Sequence, residues 1–200
     1  DVLTNPGNTA IGTRSFGSDA SMVADMVIKE LEGLSSQGVF GAVKHFPGQG
    51  GVSGDSHDGA VTLDKSLEEL MQTELVPFQK ALENGVSFVM VGHISVPQVV
   101  GDNTPASLSQ MMVSNVLREQ LGYQGIVITD AMNMGAVTGN YTADQAAVMA
   151  VNAGVDMILM PQDYETAYNG LLQAVQDGTI SEERIDESVE RIVKVKLQMQ

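Results

Sequence analysis

Four short apolar runs, each separated from the next by a longer amphipathic stretch, leave this chain few ways to fold. The runs cover residues 39–46, 86–91, 125–129 and 155–160. They are rich in Val, Ile, Phe and Met, as long as a buried strand and poor in polar alternation, which is the pattern of a strand covered on both faces. The stretches between them carry apolar residues at helical spacing. Residues 19–34 set Met22, Val23, Met26, Val27, Leu31 and Leu34 on one face. Ser66, with Glu69 three residues on, predicts a capping box that opens a helix running to about residue 83. Further helices are expected over 107–121, stopped by Gly122, over 142–153, stopped by Gly154, and over 164–177 and 181–199. Ser181 and Arg184 bracket the start of the last one, and Ile185, Val189, Ile192, Val193 and Leu197 give it an apolar stripe. A glycine stands at or just before each run, at Gly38, Gly85, Gly125 and Gly154. This alternation predicts βαβ units around a parallel sheet: an α/β fold, either an open doubly wound sheet or part of a barrel.

Two hundred residues suffice for one domain with a sizeable core. Twenty-five acidic against 10 basic residues give a formal charge of −15, which would repel phosphate backbones and argues against a nucleic-acid partner. There is no cysteine. Disulfide frameworks, thiolate metal sites and cysteine nucleophiles are therefore excluded, while cytoplasm and cell envelope both stay open. No apolar run approaches the roughly 20 residues of a membrane-spanning helix. The chain opens at Asp1-Val2-Leu3, with neither Met nor a signal region, and reads as trimmed. No strand-helix junction carries G-x-G-x-x-G or a Walker motif. Phe46-Pro-Gly-Gln-Gly-Gly lacks the Lys-Ser/Thr pair that would hold phosphate and metal, so nucleotide binding is disfavoured.

In both candidate architectures ligands gather beyond the carboxyl ends of the strands. The uncommon polar residues stand there. The first run ends in Lys44-His45, the second leads to His93, the third to Asp130, and the fourth runs out at Met160-Pro161-Gln162-Asp163. Of three histidines two sit at strand ends, and the third, His57, follows Asp55 in the loop after the first run. Each has a plainer reading. Lys44 could snorkel to the surface, and His45 beside it faces the other way in a regular strand. His93 could cap its strand or bond to backbone. Asp130 closes a strongly apolar strand, where a carboxylate is costly unless used or paired. Met132 and Met134 read as packing, and the charges at Asp19, Glu30, Glu32 and from 182 to 190 as solvated helix faces. Asp55 and His57, two apart in an extended loop, fall on the same side, where the carboxylate can fix the imidazole tautomer for acid/base work.

Lys44-His-Phe-Pro-Gly, then Gly54-Asp-Ser-His57, then Ile128-Thr-Asp-Ala-Met-Asn-Met134 together resemble glycoside hydrolase family 3, within it the bacterial β-N-acetylglucosaminidases that act on cell-wall fragments. Residues 11–17 resemble a motif just upstream, and 153–160 the last strand of the family's barrel. The resemblance runs from Asp1 to the end of the chain. It implies a TIM-type (β/α)8 barrel and cleavage with retention through a covalent glycosyl-enzyme. It also implies Asp130 as nucleophile, His57 as acid/base oriented by Asp55, and Arg14, Lys44 and His45 as sugar-binding residues. It implies no metal and no cofactor, and leaves His93 without a definite role.

Two departures stand out. Position 49 is Gln where the family's loop usually reads Pro-Gly-His-Gly. A closed barrel needs eight strands and typically about 250 residues, against four runs here. The chain is therefore expected to be a partial catalytic domain over residues 1–200, the second half of the barrel, lacking the first half and an aspartate that grips the sugar. Its open edges would be covered by that half or by another copy of the chain, and alone it would show weak or no activity. Rival readings are a metal-dependent hydrolase with His45, His57, His93 and Asp130 as ligands, a Schiff-base lyase using Lys44, and a remnant that binds carbohydrate without cleaving it.

Overall fold

A computed structural model describes residues 1–198. In chain order the elements are α1 (Ala20–Ser36), β1 (Ala42–Phe46), β2 (Val61–Thr62), α2 (Leu67–Gln72), α3 (Val76–Glu83), β3 (Phe88–Val91), β4 (Ile94–Ser95) and α4 (Pro97–Val100). A helix of π pitch over Met111–Gln120 follows, then β5 (Ile126–Thr129), α5 (Gly135–Thr138), α6 (Ala143–Ala153), α7 (Tyr164–Gln176) and α8 (Glu182–Leu197). The expected α/β class with parallel strands holds.

β1, β3 and β5 form one parallel sheet in that order. β3 and β5 run in continuous register from Phe88 opposite Ile126 to Val91 opposite Thr129. β1 holds register from Ala42 to Val43, then sets Phe46 opposite Val91, so one extra residue bulges out around Lys44-His45. The Lys44–His45 and Phe46–Pro47 peptides are both cis. β2 and β4 make a second, two-stranded parallel sheet that the sequence pattern does not announce, each strand being only two residues long.

The fourth apolar run, 155–160, departs from expectation. It lies parallel beside β5 but makes only a single bridge, Ile128 with Met157. Side chains occupy ladder positions there: the Asp156 carboxylate accepts the Val127 N–H at 2.9 Å, and the Thr129 hydroxyl accepts the Leu159 N–H at 3.0 Å. Among the described residues the strands do not close into a barrel.

The helix expected over 66–83 is two helices. Ser66 and Glu69 form the capping box, but Pro77 has no N–H for the carbonyl of Thr73 and opens a new helix. At the break the fully buried Glu74 accepts Lys65 Nζ at 2.6 Å, Thr4 Oγ1 at 2.9 Å and the Thr73 hydroxyl. The helix expected from Ser107 begins later, at Met111, because Ala106–Leu108 form a separate 3-10 turn that ends at an extended Ser109, with the Ser107 hydroxyl on His93. The helix stopped by Gly154 ends as foreseen, Gly154 taking φ 111°. Of the last helix, expected to reach residue 199, Met199 lies outside the described residues. Its charges are not all solvated. Arg184 and Arg191 turn toward Asp156, whose carboxylate is fully buried and also holds Arg118 at 2.6 Å and Ser188 at 2.7 Å. Burying one carboxylate is costly unless such partners surround it, so this cluster ties α8 to the fourth run.

The core lies between the main sheet and the helices over it, with Phe46, Val89, Val91, Val127, Leu75, Phe78 and Leu117 all buried. Phe46 meets Phe78 edge-on at 5.5 Å. Burying one such ring contributes about 1.5–3 kcal/mol. Met132 and Met134 pack inside as expected. Elsewhere apolar stripes stay exposed: Met22 and Met26 on α1, Tyr164, Tyr168 and Leu172 on α7, and Val189, Val193 and Leu197 on α8. No described helix is long and apolar enough to cross a membrane.

Candidate active site

The carboxyl ends of β1, β3 and β5 form a rim, and Asp130 stands on it directly after β5. Its N–H donates to the Val91 carbonyl at 2.9 Å, which carries it across the end of β3. Its side chain is 17% exposed, partly dry but reachable. The two carboxylate oxygens differ. Oδ1 accepts the Ala131 N–H at 2.8 Å, whereas Oδ2 faces His45 Nε2 at 3.6 Å, beyond hydrogen-bonding reach.

His45 is buried, opposite in orientation to the exposed Lys44. Its Nδ1 lies 2.7 Å from Asp1 Oδ2, and the other oxygen of Asp1 accepts the Gln49 N–H at 2.6 Å. Burial lowers the His45 pKa to about 3 although the Asp130 carboxylate pulls it upward. The ring is then neutral at pH 7. A carboxylate only accepts, so Nδ1 carries the proton and Nε2 offers a lone pair toward Asp130. A hydroxyl entering that gap could donate to either atom.

The Asp55–His57 pair forms as its spacing predicts. Asp55 Oδ1 lies 2.7 Å from His57 Nδ1 and also accepts the His57 N–H at 2.9 Å. These bonds hold the Asp55 pKa below the usual carboxylate range. The imidazole is 64% exposed, leaving Nε2 open. Its loop is nonetheless pinned to the same rim. The N–H groups of Gly135 and Ala136 at the start of α5 donate to the carbonyls of His57 and Ser56, both at 3.1 Å. Ser56 is buried and receives Gln49 Nε2 at 3.2 Å. Gly135 permits the approach, since a Cβ there would meet the His57 carbonyl oxygen at 2.7 Å.

Arg14 and Lys44 lie to one side. Both are exposed and line a hollow of about 250 Å³ beside β1, together with Asp1 and Phe16. The Arg14 guanidinium bonds to the Ala10 carbonyl at 2.6 Å. A larger hollow of about 700 Å³ opens at the amino end of the strands, among Gly85, Gly122 and Gly125, and contains none of the rim residues. His93 is buried, with Nδ1 2.7 Å from Ser107 Oγ and Nε2 3.0 Å from the Ala131 carbonyl. With both nitrogens occupied, it is poorly placed to ligate a metal. Among the described residues no group of three or more His, Asp or Glu side chains converges as a metal site would require.

Sequence reasoning missed Asp1, Ser107 and Gly135 as site residues, and marked Gln49 only as a departure in its loop. Asp1 acts on a residue 44 positions away and leaves no local signal. Gly135 had one, a lone glycine at a helix start, which marks a close approach of backbone.

The sequence profile described as "Glycosyl hydrolase family 3 N terminal domain" matches residues 1–195. The chain is 30% identical to "Beta-hexosaminidase A" of Pseudoalteromonas piscicida, over 100% of its own length and 37% of that protein's. It is 36% identical to "Beta-hexosaminidase LpqI" of Mycobacterium tuberculosis, over 98% of its own length and 52% of the relative's. A solved glycoside hydrolase family 3 beta-N-acetylglucosaminidase from Paenibacillus sp. str. FPU-7 superposes with a TM-score of 0.97 at 41% identity, covering 100% of this chain and 38% of that one.

Proposed function

This chain belongs to glycosyl hydrolase family 3, and we propose that it carries the nucleophile and acid/base for removing terminal β-linked N-acetylglucosamine from cell-wall GlcNAc-MurNAc fragments. The observation that carries this reading is one rim holding both an accessible Asp130 Oδ2 and the Asp55–His57 pair, joined through Gly135 and Ala136.

In the first step Asp130 Oδ2 attacks the anomeric carbon, and the bond to the departing oxygen breaks. Oδ1 remains held by the Ala131 N–H, so the attacking oxygen is the one without a partner. His57 Nε2 gives its proton to the departing oxygen while Nδ1–H stays on Asp55. In the second step Nε2 takes a proton from water, the water oxygen bonds to the anomeric carbon, and the ester to Asp130 breaks. Two displacements retain the configuration. A histidine suits both proton transfers near neutral pH. His45 Nε2 accepts a sugar hydroxyl, and Arg14 and Lys44 supply donors from the flank.

The chain spans 37% and 52% of the two curated relatives compared. Residues 1–200 read best as part of a (β/α)8 catalytic domain, with its remaining half covering the apolar stripes on α1, α7 and α8. An assay with a nitrophenyl β-N-acetylglucosaminide tests the chemistry, run on this chain and within a completed barrel. Asp130→Asn is expected to abolish release, a slow fluorinated substrate to leave a sugar ester on the Asp130 peptide, and chelators to change nothing. Undiminished turnover in Asp130→Asn, or loss of activity on chelation, would overturn the reading. Sugar binding without any hydrolysis would leave only the carbohydrate-binding remnant.

A further inference from the structure

We propose that His93 is a positioning residue for Asp130, acting through Ala131 and held in a single tautomer by Ser107. The claim rests on Asp130 being the nucleophile. A continuous line of hydrogen bonds joins the ends of β3 and β5. The Ser107 N–H donates to the Gly92 carbonyl at 3.2 Å, and its hydroxyl lies 2.7 Å from His93 Nδ1. His93 Nε2 lies 3.0 Å from the Ala131 carbonyl, and the Ala131 N–H reaches Asp130 Oδ1 at 2.8 Å. A carbonyl can only accept, so Nε2 carries the proton. Burial lowers the His93 pKa and keeps the ring neutral, which leaves Nδ1 as the acceptor of the Ser107 hydroxyl.

The consequence falls on Asp130. Ala131 is gripped at both ends, its N–H on the carboxylate and its C=O on His93. That grip fixes which oxygen is occupied and where the other one points. His93 and Ser107 are both buried and touch no space a sugar could enter. Without the Nε2–H donor the Ala131 carbonyl would keep only the Met134 N–H, at 3.2 Å, and the peptide beside the nucleophile would be held less firmly, by that bond and by the Met132 N–H on the Leu159 carbonyl at 2.9 Å. Misplacing a reacting group by about 1 Å costs about 100-fold in rate.

The tautomer can be read directly. The chain has only three histidines, so long-range proton–nitrogen spectra of labelled protein resolve each ring, with His45→Gln and His57→Gln for assignment. His93 is expected to show a protonated Nε2 and an acceptor Nδ1 at pH 7. A protonated Nδ1 at pH 7 would overturn the proposal. This reading needs no turnover, so it stands apart from the glycosidase reading, which falls if Asp130→Asn retains activity. In the active barrel, His93→Phe is expected to lower kcat about 10- to 100-fold with KM nearly unchanged. His93→Gln, which retains a donor, should recover most of that loss, and Ser107→Ala should blur the tautomer and lower kcat less. A His93→Phe variant with undiminished kcat would overturn the proposal; if that variant fails to fold, the wild-type tautomer and Ser107→Ala still decide it.

Discussion

Asp55 shows how one side chain makes another useful. Its carboxylate receives both the ring and the backbone N–H of His57, so it sets the loop turn and the tautomer together. Replacing it with Ala removes both bonds while leaving Nε2 in place. General acid/base catalysis is worth typically about 100- to 10,000-fold. Asp55→Ala is expected to forfeit part of it, lowering kcat about 10- to 100-fold toward a nitrophenyl substrate. The loss should shrink for a substrate whose leaving group needs no proton. Equal losses with both leaving groups, measured in the steady state, would remove Asp55 from the proton path. This pair was legible in the sequence because both partners lie within one turn of loop. The partner of His45 was not. Asp1 meets it only once the chain has folded across 44 positions, and composition or periodicity carries no trace of that encounter.

At the level of elements, periodicity located the helices and the three laddered strands, and failed where side chains compete with backbone. The run 155–160 has the apolar content of a strand and keeps backbone bonds to β5 at Asp156 and Met157, yet the Asp156 and Thr129 side chains take two of the ladder positions. The stretch 66–83 has one continuous helical pattern, yet Pro77 and the buried Glu74 divide it. The junction of the His57 loop with α5 is the element contact on which the candidate site depends. Gly135 has no strained backbone angle, so Ala would be tolerated there but for its surroundings. The added Cβ meets the His57 carbonyl oxygen at 2.7 Å and the Asp58 carbonyl carbon at 3.0 Å, both backbone atoms. The loop must therefore move away. Gly135→Ala is expected to lower kcat about 100-fold while unfolding stability changes by only about 1–3 kcal/mol. Faster hydrogen exchange at the Ala136 amide would report the lifted loop. Unchanged exchange with unchanged kcat would mean that the loop is anchored elsewhere.

Across the whole molecule, the rim is a site where charge must be managed inside a chain of net charge −15. Two of the three histidines are buried and neutral, His45 with a pKa of about 3 and His93 lowered by burial. In the unfolded chain both return to about 6.5. Between that value and the folded pKa the unfolded state binds more protons than the folded one, so stability rises with pH across the interval. The contribution is fully present above pH 6.5 and is lost as the solution is acidified. For His45 the loss amounts to about 1.4 kcal/mol per pH unit, or about 2 kcal/mol by pH 5, and His93 acts in the same direction. Asp55, whose pKa is also lowered, contributes stability that is fully present above the ordinary carboxylate range and is lost only as the pH falls through it. Urea unfolding at pH 7.5 and pH 5.0 should therefore show a clear fall in midpoint at constant slope. His45→Gln should flatten that dependence, because it removes a group that the folded state refuses to protonate. A midpoint that held steady or rose on acidification would mean that the two rim carboxylates, Asp1 and Asp130, keep His45 charged, and the acceptor role given to its Nε2 would fall with it.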